Sequence, residues 1–271
     1  MKIGIQGTIG SFHYEVAQNV FGNGNEYAEC MDFNEIPILL HQDKIEKGLM
    51  AIENTIAGAI LPNYALIDEY NLHITGEYYL PIHHHLMALP NQKIEDIVEV
   101  RSHPMALLQC RKFLRNYPHI KIVEEKDTAE MAKIIQQKHL KSVAAIAGYE
   151  AAKIYDLNII AESIQTNKIN ATRFVIVDKE NGVHAKNFNK ASLKFTLHDE
   201  TGSLLTILSI LSDNKLNMSK IQSLPIIDKP WEYAFFVDVL IDNHTLYYKA
   251  LEEIKKNVIE MRVLGEYINA K

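Results

Sequence analysis

The pattern of apolar runs in this chain changes once, at the polar stretch Ala185-Lys186-Asn187-Phe188-Asn189-Lys190, and no other feature restricts the possible folds as much. Ahead of it, short strand-like runs (Lys2 to Gln6, Leu49 to Ile52, Ile97 to Val100, Ile120 to Val123, Val143 to Ile146) alternate with helical patterns. Those patterns cover Phe12 to Phe21, about Glu35 to Lys47, Pro104 to about Asn116, Thr128 to Lys138 and Glu150 to Tyr155. Such alternation predicts an α/β body, two-lobed, with mostly parallel sheets. After the break the order is strand Leu193 to Leu197, helix Gly202 to Leu211, strand Met218 to Leu224, strand Tyr233 to Leu240, helix Leu246 to Asn257 and a strand near Val263. This βαββαβ order predicts a ferredoxin-like sheet with both helices on one face. A domain boundary is therefore expected at the break.

Charge and cysteine usage narrow the function classes. With a formal net charge of -6 and no dense Lys/Arg cluster, the chain is not expected to bind nucleic acid, which needs a basic surface. Its two cysteines, Cys30 and Cys110, are too few for a disulfide framework, and no export signal is recognisable, so a reducing cytoplasm is the expected compartment. No apolar run approaches the roughly 20 residues that span a bilayer, so no membrane partner is expected.

Several stretches carry groups suited to chemistry. In Asn170-Ala171-Thr172-Arg173-Phe174, Arg173 offers a planar fork of donors that matches a carboxylate, and Thr172 a small hydroxyl that can donate to a departing oxygen. The alternative is a strand whose Arg pairs with a surface carboxylate and whose Thr reflects β propensity. Gly7-Thr8-Ile9-Gly10-Ser11 leads into a helix that Ser11 caps, and the same helix start suits an anion. The spacing is neither that of a dinucleotide loop nor that of a Walker loop. Glu53, Asn54 and Thr55 stand at the carboxyl end of a strand, where open α/β sheets bind ligands, and Asn54 or Thr55 equally suits a helix cap. In His83-His84-His85, strand alternation would set His83 and His85 on one face, but no third ligand stands at metal spacing. Ser102 or His103 is expected to cap the helix that Pro104 opens, with His103 weighed between a general base and the commoner structural role; Cys110 reads as core.

Taken together these motifs resemble the prephenate dehydratase family followed by a regulatory ACT domain. The resemblance rests on Gly7-x-x-Gly10-Ser11-Phe12, Ile52-Glu53-Asn54-Thr55, Ser102-His103-Pro104 with Gln109-Cys110, and Asn170-x-Thr172-Arg173-Phe174, in that order, with Asn217-Met218-Ser219-Lys220-Ile221 as an ACT-like stretch. It implies a periplasmic-binding-protein-like catalytic domain over residues 1–182, with a cleft between two lobes, and a ferredoxin-like ACT domain over 190–271. The implied reaction is the decarboxylating dehydration of prephenate to phenylpyruvate, on the way to phenylalanine. Aromatisation drives it, so no metal or other cofactor is implied. The family's Thr-Arg-Phe points to Thr172 as catalytic, with Arg173 as a carboxylate clamp. Ser11, Asn54, Thr55, Ser102, His103 and Phe174 are the implied substrate contacts, and a homodimer or homotetramer the implied assembly. Arogenate, the amino counterpart of prephenate, is the rival substrate, and a non-catalytic amino-acid sensor the rival function.

The same resemblance implies regulation by L-phenylalanine through Gly202, Ser203, Leu204 and Asn217. Here the chain departs from phenylalanine-inhibited relatives. The family's Gly-Ala-Leu turn is matched by Gly202-Ser203-Leu204, and its Glu-Ser-Arg-Pro segment by Gln222-Ser223-Leu224-Pro225, so that two charges are missing. Weak phenylalanine binding is therefore expected if the missing pair serves the ligand; the alternative is that it serves the subunit contact.

Overall fold

The structure is a computed structural model that describes residues 1–179, 187–226 and 232–271. The expected domain end at residue 182 and the Ala185-Lys186 part of the expected break lie outside the described residues. The chain separates into two compact units, Met1–Ile60 with Tyr78–Phe174, and Leu61–Glu77 with Val175–Lys271. Among the described residues no helix is long and apolar enough to cross a membrane.

The first unit contains two sheets. One has the strand order Glu26–Cys30, Lys2–Gln6, Lys47–Asn54, Ala171–Asp178, His73–Pro81, the last two strands being divided between the units. The other has the order Asn158–Ala161, His85–Ala88, Val143–Ala147, Glu99–Ser102, Lys121–Glu124. The middle strand of this second sheet, Val143–Ala147, is apolar throughout because helices cover both faces. Leu86, Ala88, Val100, Ala144 and Ile146 pack with Ala106, Leu107, Cys110 and Leu114 on one side. Met87, Ala145 and Ala147 pack with Met131, Ala132, Ile135 and Ala151 on the other. The two-residue strand period divides the neighbours cleanly between the two cores.

Four differences from the expected elements have local causes. The helix starting at Glu35 stops at His41, where Asp43 takes a left-handed φ of 54° and turns the chain toward strand Lys47–Asn54. A single 3-10 turn, Ile94–Asp96, delays the strand expected at Ile97 to Glu99–Ser102. The helix from Pro104 is interrupted at Cys110 into Pro104–Gln109 and Arg111–Leu114. The second sheet is mixed, since His85–Ala88 runs antiparallel to both neighbours. That strand arrives directly from Pro81 without a crossover helix, so nothing obliges it to be parallel.

In the second unit the sheet order is Asn217–Pro225, Tyr233–Leu240, Lys190–Thr196, Glu260–Tyr267, all antiparallel. Helices Ser203–Asp213 and His244–Lys255 bury one face, with Leu193, Phe195, Val237 and Val239 against Ile207, Leu211, Tyr247 and Ile254. The alternate positions Lys190, Ser192, Lys194 and Thr196 are polar yet buried. Helix Leu61–Glu69 and the strand after it account for this. Tyr64 meets Phe236 edge-on at 5.3 Å, and Lys194 pairs with Asp68 at 2.8 Å. Arg262 donates to the carbonyls of Ile67, Asp68 and Leu72 at the helix's end, and Lys190 reaches both oxygens of Glu77 at 3.0 and 2.9 Å. Gly265 allows this approach, because a Cβ there would lie 2.0 Å from the Ile74 carbonyl oxygen.

Candidate active site

A cavity of about 370 Å³ opens within the first unit, lined by strand residues of the first sheet (Gln6, Ala51, Asn54, Thr172, Phe174) and by helix starts and connecting segments around the second. Strand alternation decides what the Asn170–Phe174 stretch contributes. Thr172 and Phe174, two residues apart, both line the cavity, whereas Arg173 between them does not. The Arg173 guanidinium is buried, 3.9 Å from the Glu53 carboxylate and 6.0 Å from the centre of the Tyr79 ring. The carboxylate clamp expected of Arg173 thus has no geometric basis here.

The hydroxyl of Thr172 is oriented by its neighbour. Asn54 Oδ1 accepts from the backbone amides of Ile56 and Ala57, both at 2.9 Å, which fixes the carboxamide so that its Nδ2 turns to Thr172 Oγ1 at 2.9 Å. Thr172 is therefore an acceptor from Asn54, and its own proton, with no acceptor among the described residues, is available to whatever occupies the cavity. The network continues outward. Asn54 Nδ2 also donates to Asn170 Oδ1 at 2.8 Å, and Asn170 Nδ2 to Gln109 Oε1 at 2.9 Å. Gln109 Oε1 meets His84 Nε2 at 2.9 Å as well. With Oε1 receiving both, the Gln109 amide hydrogens form a second unspent donor group at the cavity wall.

Other expected site residues divide by geometry. Ser11 lines the cavity, but its hydroxyl accepts from Tyr14 N and donates to the Gln6 carbonyl, both at 3.3 Å. His103 lines it and caps helix Pro104–Gln109, Nδ1 accepting from Met105 N at 3.2 Å. Thr55 is exposed and is absent from the cavity lining, accepting from Ala171 N at 3.0 Å. Ser102 is buried and donates to the Ile146 carbonyl at 2.6 Å. Thr55 and Ser102 hence bond to the frame and do not line this cavity. The histidine triplet is split by the chain's irregular course between Pro81 and His85: His83 meets Gln165, His84 meets Gln109, and His85 accepts from Ser163 N.

Sequence reasoning missed Gln109 as a donor, the imidazoles of His13 and His84, and the Lys126-Asp127-Thr128 run, all of which line the cavity. The signal available for Asp127 was its N-cap position, confirmed by acceptance from Glu130 N at 2.7 Å. Helices Phe12–Phe21 and Thr128–Gln137 both begin at the cavity, so two positive dipole ends face its contents. Burial raises the Asp127 carboxyl above its ordinary range, opposed by the amides of Glu130 and Ala129 and the Thr8 hydroxyl.

Burial lowers the His13 imidazole to about 3 and the His84 imidazole to about 4, the latter against the pull of Gln109. Both rings are thus neutral at pH 7. Because their folded values lie below the unfolded value near 6.5, the folded state binds fewer protons in acid. Stability is expected to be intact above pH 6.5 and to fall as the pH drops through about 4. Urea midpoints at pH 7, 5.5 and 4.5 check this against His84→Gln, whose acid slope should be shallower; an identical slope refutes the His84 contribution.

A family profile described as prephenate dehydratase matches residues 3–182, and an ACT domain profile matches residues 191–258. A bifunctional chorismate mutase/prephenate dehydratase of Aquifex aeolicus is 32% identical over 100% of this chain and 74% of its own length. An arogenate dehydratase/prephenate dehydratase 2 of Arabidopsis thaliana is 32% identical over 98% of this chain and 72% of its own. Among solved structures, prephenate dehydratase from Arthrobacter aurescens in complex with L-Phe superposes with a TM-score of 0.88 at 24% identity, covering 100% of this chain and 90% of that one. The fold is thereby the periplasmic-binding-protein-like one of those dehydratases, and the chain belongs to the prephenate dehydratase family, with an ACT domain following the dehydratase region.

Proposed function

We propose that this protein converts prephenate to phenylpyruvate, carbon dioxide and water, with residues 1–182 as the catalytic domain and 190–271 as the regulatory one. The observation that carries the reading is the Thr172 hydroxyl on the cavity wall, which accepts from Asn54 and has no acceptor for its own proton among the described residues. In the reaction the ring carboxylate leaves as carbon dioxide and its bonding pair enters the ring. The ring electrons shift and the carbon–oxygen bond to the hydroxyl breaks. The departing hydroxide takes a proton and becomes water, and the ring is aromatic. A threonine hydroxyl is too weak an acid to surrender its proton at pH 7, so Thr172 serves as a donor to the oxygen as charge develops there, the net proton coming from solvent. Gln109 supplies a further donor, Phe174 an apolar wall stacked edge-on to His13 at 4.8 Å, and the two helix N-termini favour an anionic substrate.

The experiment is turnover by the purified protein, followed as phenylpyruvate formation from prephenate and as phenylalanine formation from arogenate. The arogenate reading is kept because Asp127 places one carboxylate at the cavity, a partner for an ammonium group. Faster turnover of prephenate supports the proposal; exclusive turnover of arogenate replaces it, and no turnover of either leaves the sensor reading.

For regulation, Gly202 in a left-handed conformation (φ 91°) starts helix Ser203–Asp213; the Ser203 amide is taken by the Glu200 carbonyl at 3.2 Å, which leaves the Leu204 amide in the first turn as a donor for a carboxylate. Asn217 opens the edge strand of the same sheet. Gln222 is partly buried, its amide donating to the neighbouring Ser223 carbonyl at 2.9 Å. We expect L-phenylalanine to bind here about 10²-fold more weakly than to a site that keeps both charges. Calorimetric titration checks this, and a low-micromolar dissociation constant with matching inhibition contradicts it.

A further inference from the structure

A dianion needs a cation, and Arg173 does not line the cavity. Among the lining residues there is one lysine or arginine, Lys126. It lies in Glu124-Glu125-Lys126-Asp127, which joins strand Lys121–Glu124 to helix Thr128–Gln137. Its side chain is exposed, and it borders both the cavity and an outer basin of about 520 Å³ that also touches Asp32, Glu124 and Glu125. Two of the nearest acids are engaged elsewhere. Glu125 meets Arg101 at 3.3 Å, and Asp127 caps the following helix while accepting from the Thr8 hydroxyl at 3.4 Å. Lys126 itself enters no ion pair among the described residues.

We propose that Lys126 binds a carboxylate of the substrate at the cavity mouth and so determines specificity for a dianion. The proposal rests on the reading that the substrate is prephenate. Neutral His13 and His84 cannot supply the charge. Asp127 would oppose an anion, so the helix dipoles alone face a like-charge penalty that a mobile ammonium offsets. A lysine suits this place: its flexible stem lets the charge follow a ligand from the outer basin to the cavity.

The test is steady-state turnover of prephenate by Lys126→Gln, Lys126→Glu and Lys126→Arg. Removing one cation from an exposed cavity mouth should raise KM about tenfold, and reversing its sign about 10²-fold, with a smaller effect on kcat. Lys126→Arg should restore KM. The wild-type KM should rise between about 0.02 and 0.3 M salt, and that dependence should flatten in Lys126→Gln. Unaltered KM in both Lys126→Gln and Lys126→Glu overturns the assignment. Calorimetric titration with phenylpyruvate, which keeps one carboxylate, separates the two failures. If the wild type turns over no prephenate but binds phenylpyruvate through Lys126, the activity is wrong and the cation site stands; if Lys126→Gln binds it equally well, the site falls.

Discussion

Replacing Thr172 with valine is expected to lower the turnover number for prephenate by about 10²-fold or more while leaving the denaturation midpoint nearly unchanged. Valine keeps the branched shape on the strand, so Phe174 and Val175 retain their burial. What disappears is a donor toward the departing oxygen and an acceptor for Asn54 Nδ2. Asn54 keeps its hydrogen bond to Asn170 and its two backbone amides, so the frame around the missing hydroxyl stays in place. A transition-state donor should reveal itself as a loss in kcat with little change in KM. Turnover within a few fold of the wild type would show that Thr172 does not act on the leaving group. Thr172→Ser, which restores the donor, should recover a large part of the rate.

Replacing Lys190 with methionine is expected to cost about 3–5 kcal/mol of stability, a large share of what a domain has. Glu77 is fully enclosed and Lys190 nearly so, and the Ala270 amide donates to the same carboxylate at 3.1 Å. Methionine fills the volume but removes the Lys190 ammonium from a buried carboxylate. Urea unfolding of Lys190→Met and of Glu77→Leu with Lys190→Met measures the effect. The double variant should regain most of the loss, because an apolar pair carries no desolvation penalty. Equal stabilities of the single variant and the wild type would mean that the pair is hydrated in solution.

The α/β body and the βαββαβ order were legible from periodicity, since most strands carry an apolar run and four of the described helices a side-chain cap; the strand Glu26–Cys30, with no apolar run, was not. Ser11, His103, Asp127 and Asn243 all accept from first-turn amides. The cavity was legible where a motif sits at a strand end, as for Asn54 and Thr172. It was misread where side-chain direction mattered, because Thr172, Arg173 and Phe174 are consecutive in sequence and only alternation sends the guanidinium elsewhere. Gln109 and Lys126 were not legible, as each acquires its role from partners more than 20 positions distant or from a cavity wall assembled by several segments. The polar alternation of Lys190, Ser192, Lys194 and Thr196 reads as a wet sheet face, and nothing local to it announces the helix that covers it.

That covering helix bears on how freely such a protein can be taken apart and recombined. Leu61–Glu77 lies inside the stretch matched by the dehydratase profile, yet it packs in the same unit as the C-terminal sheet. Severing the chain between the two profile matches would strip Lys190 of Glu77, Arg262 of three carbonyls and Phe236 of Tyr64. A C-terminal fragment would then display a basic, half-charged sheet face, and an N-terminal fragment a helix without its bed. A chimera meant to exchange regulators between family members must therefore carry Leu61–Glu77 across together with the sheet it serves.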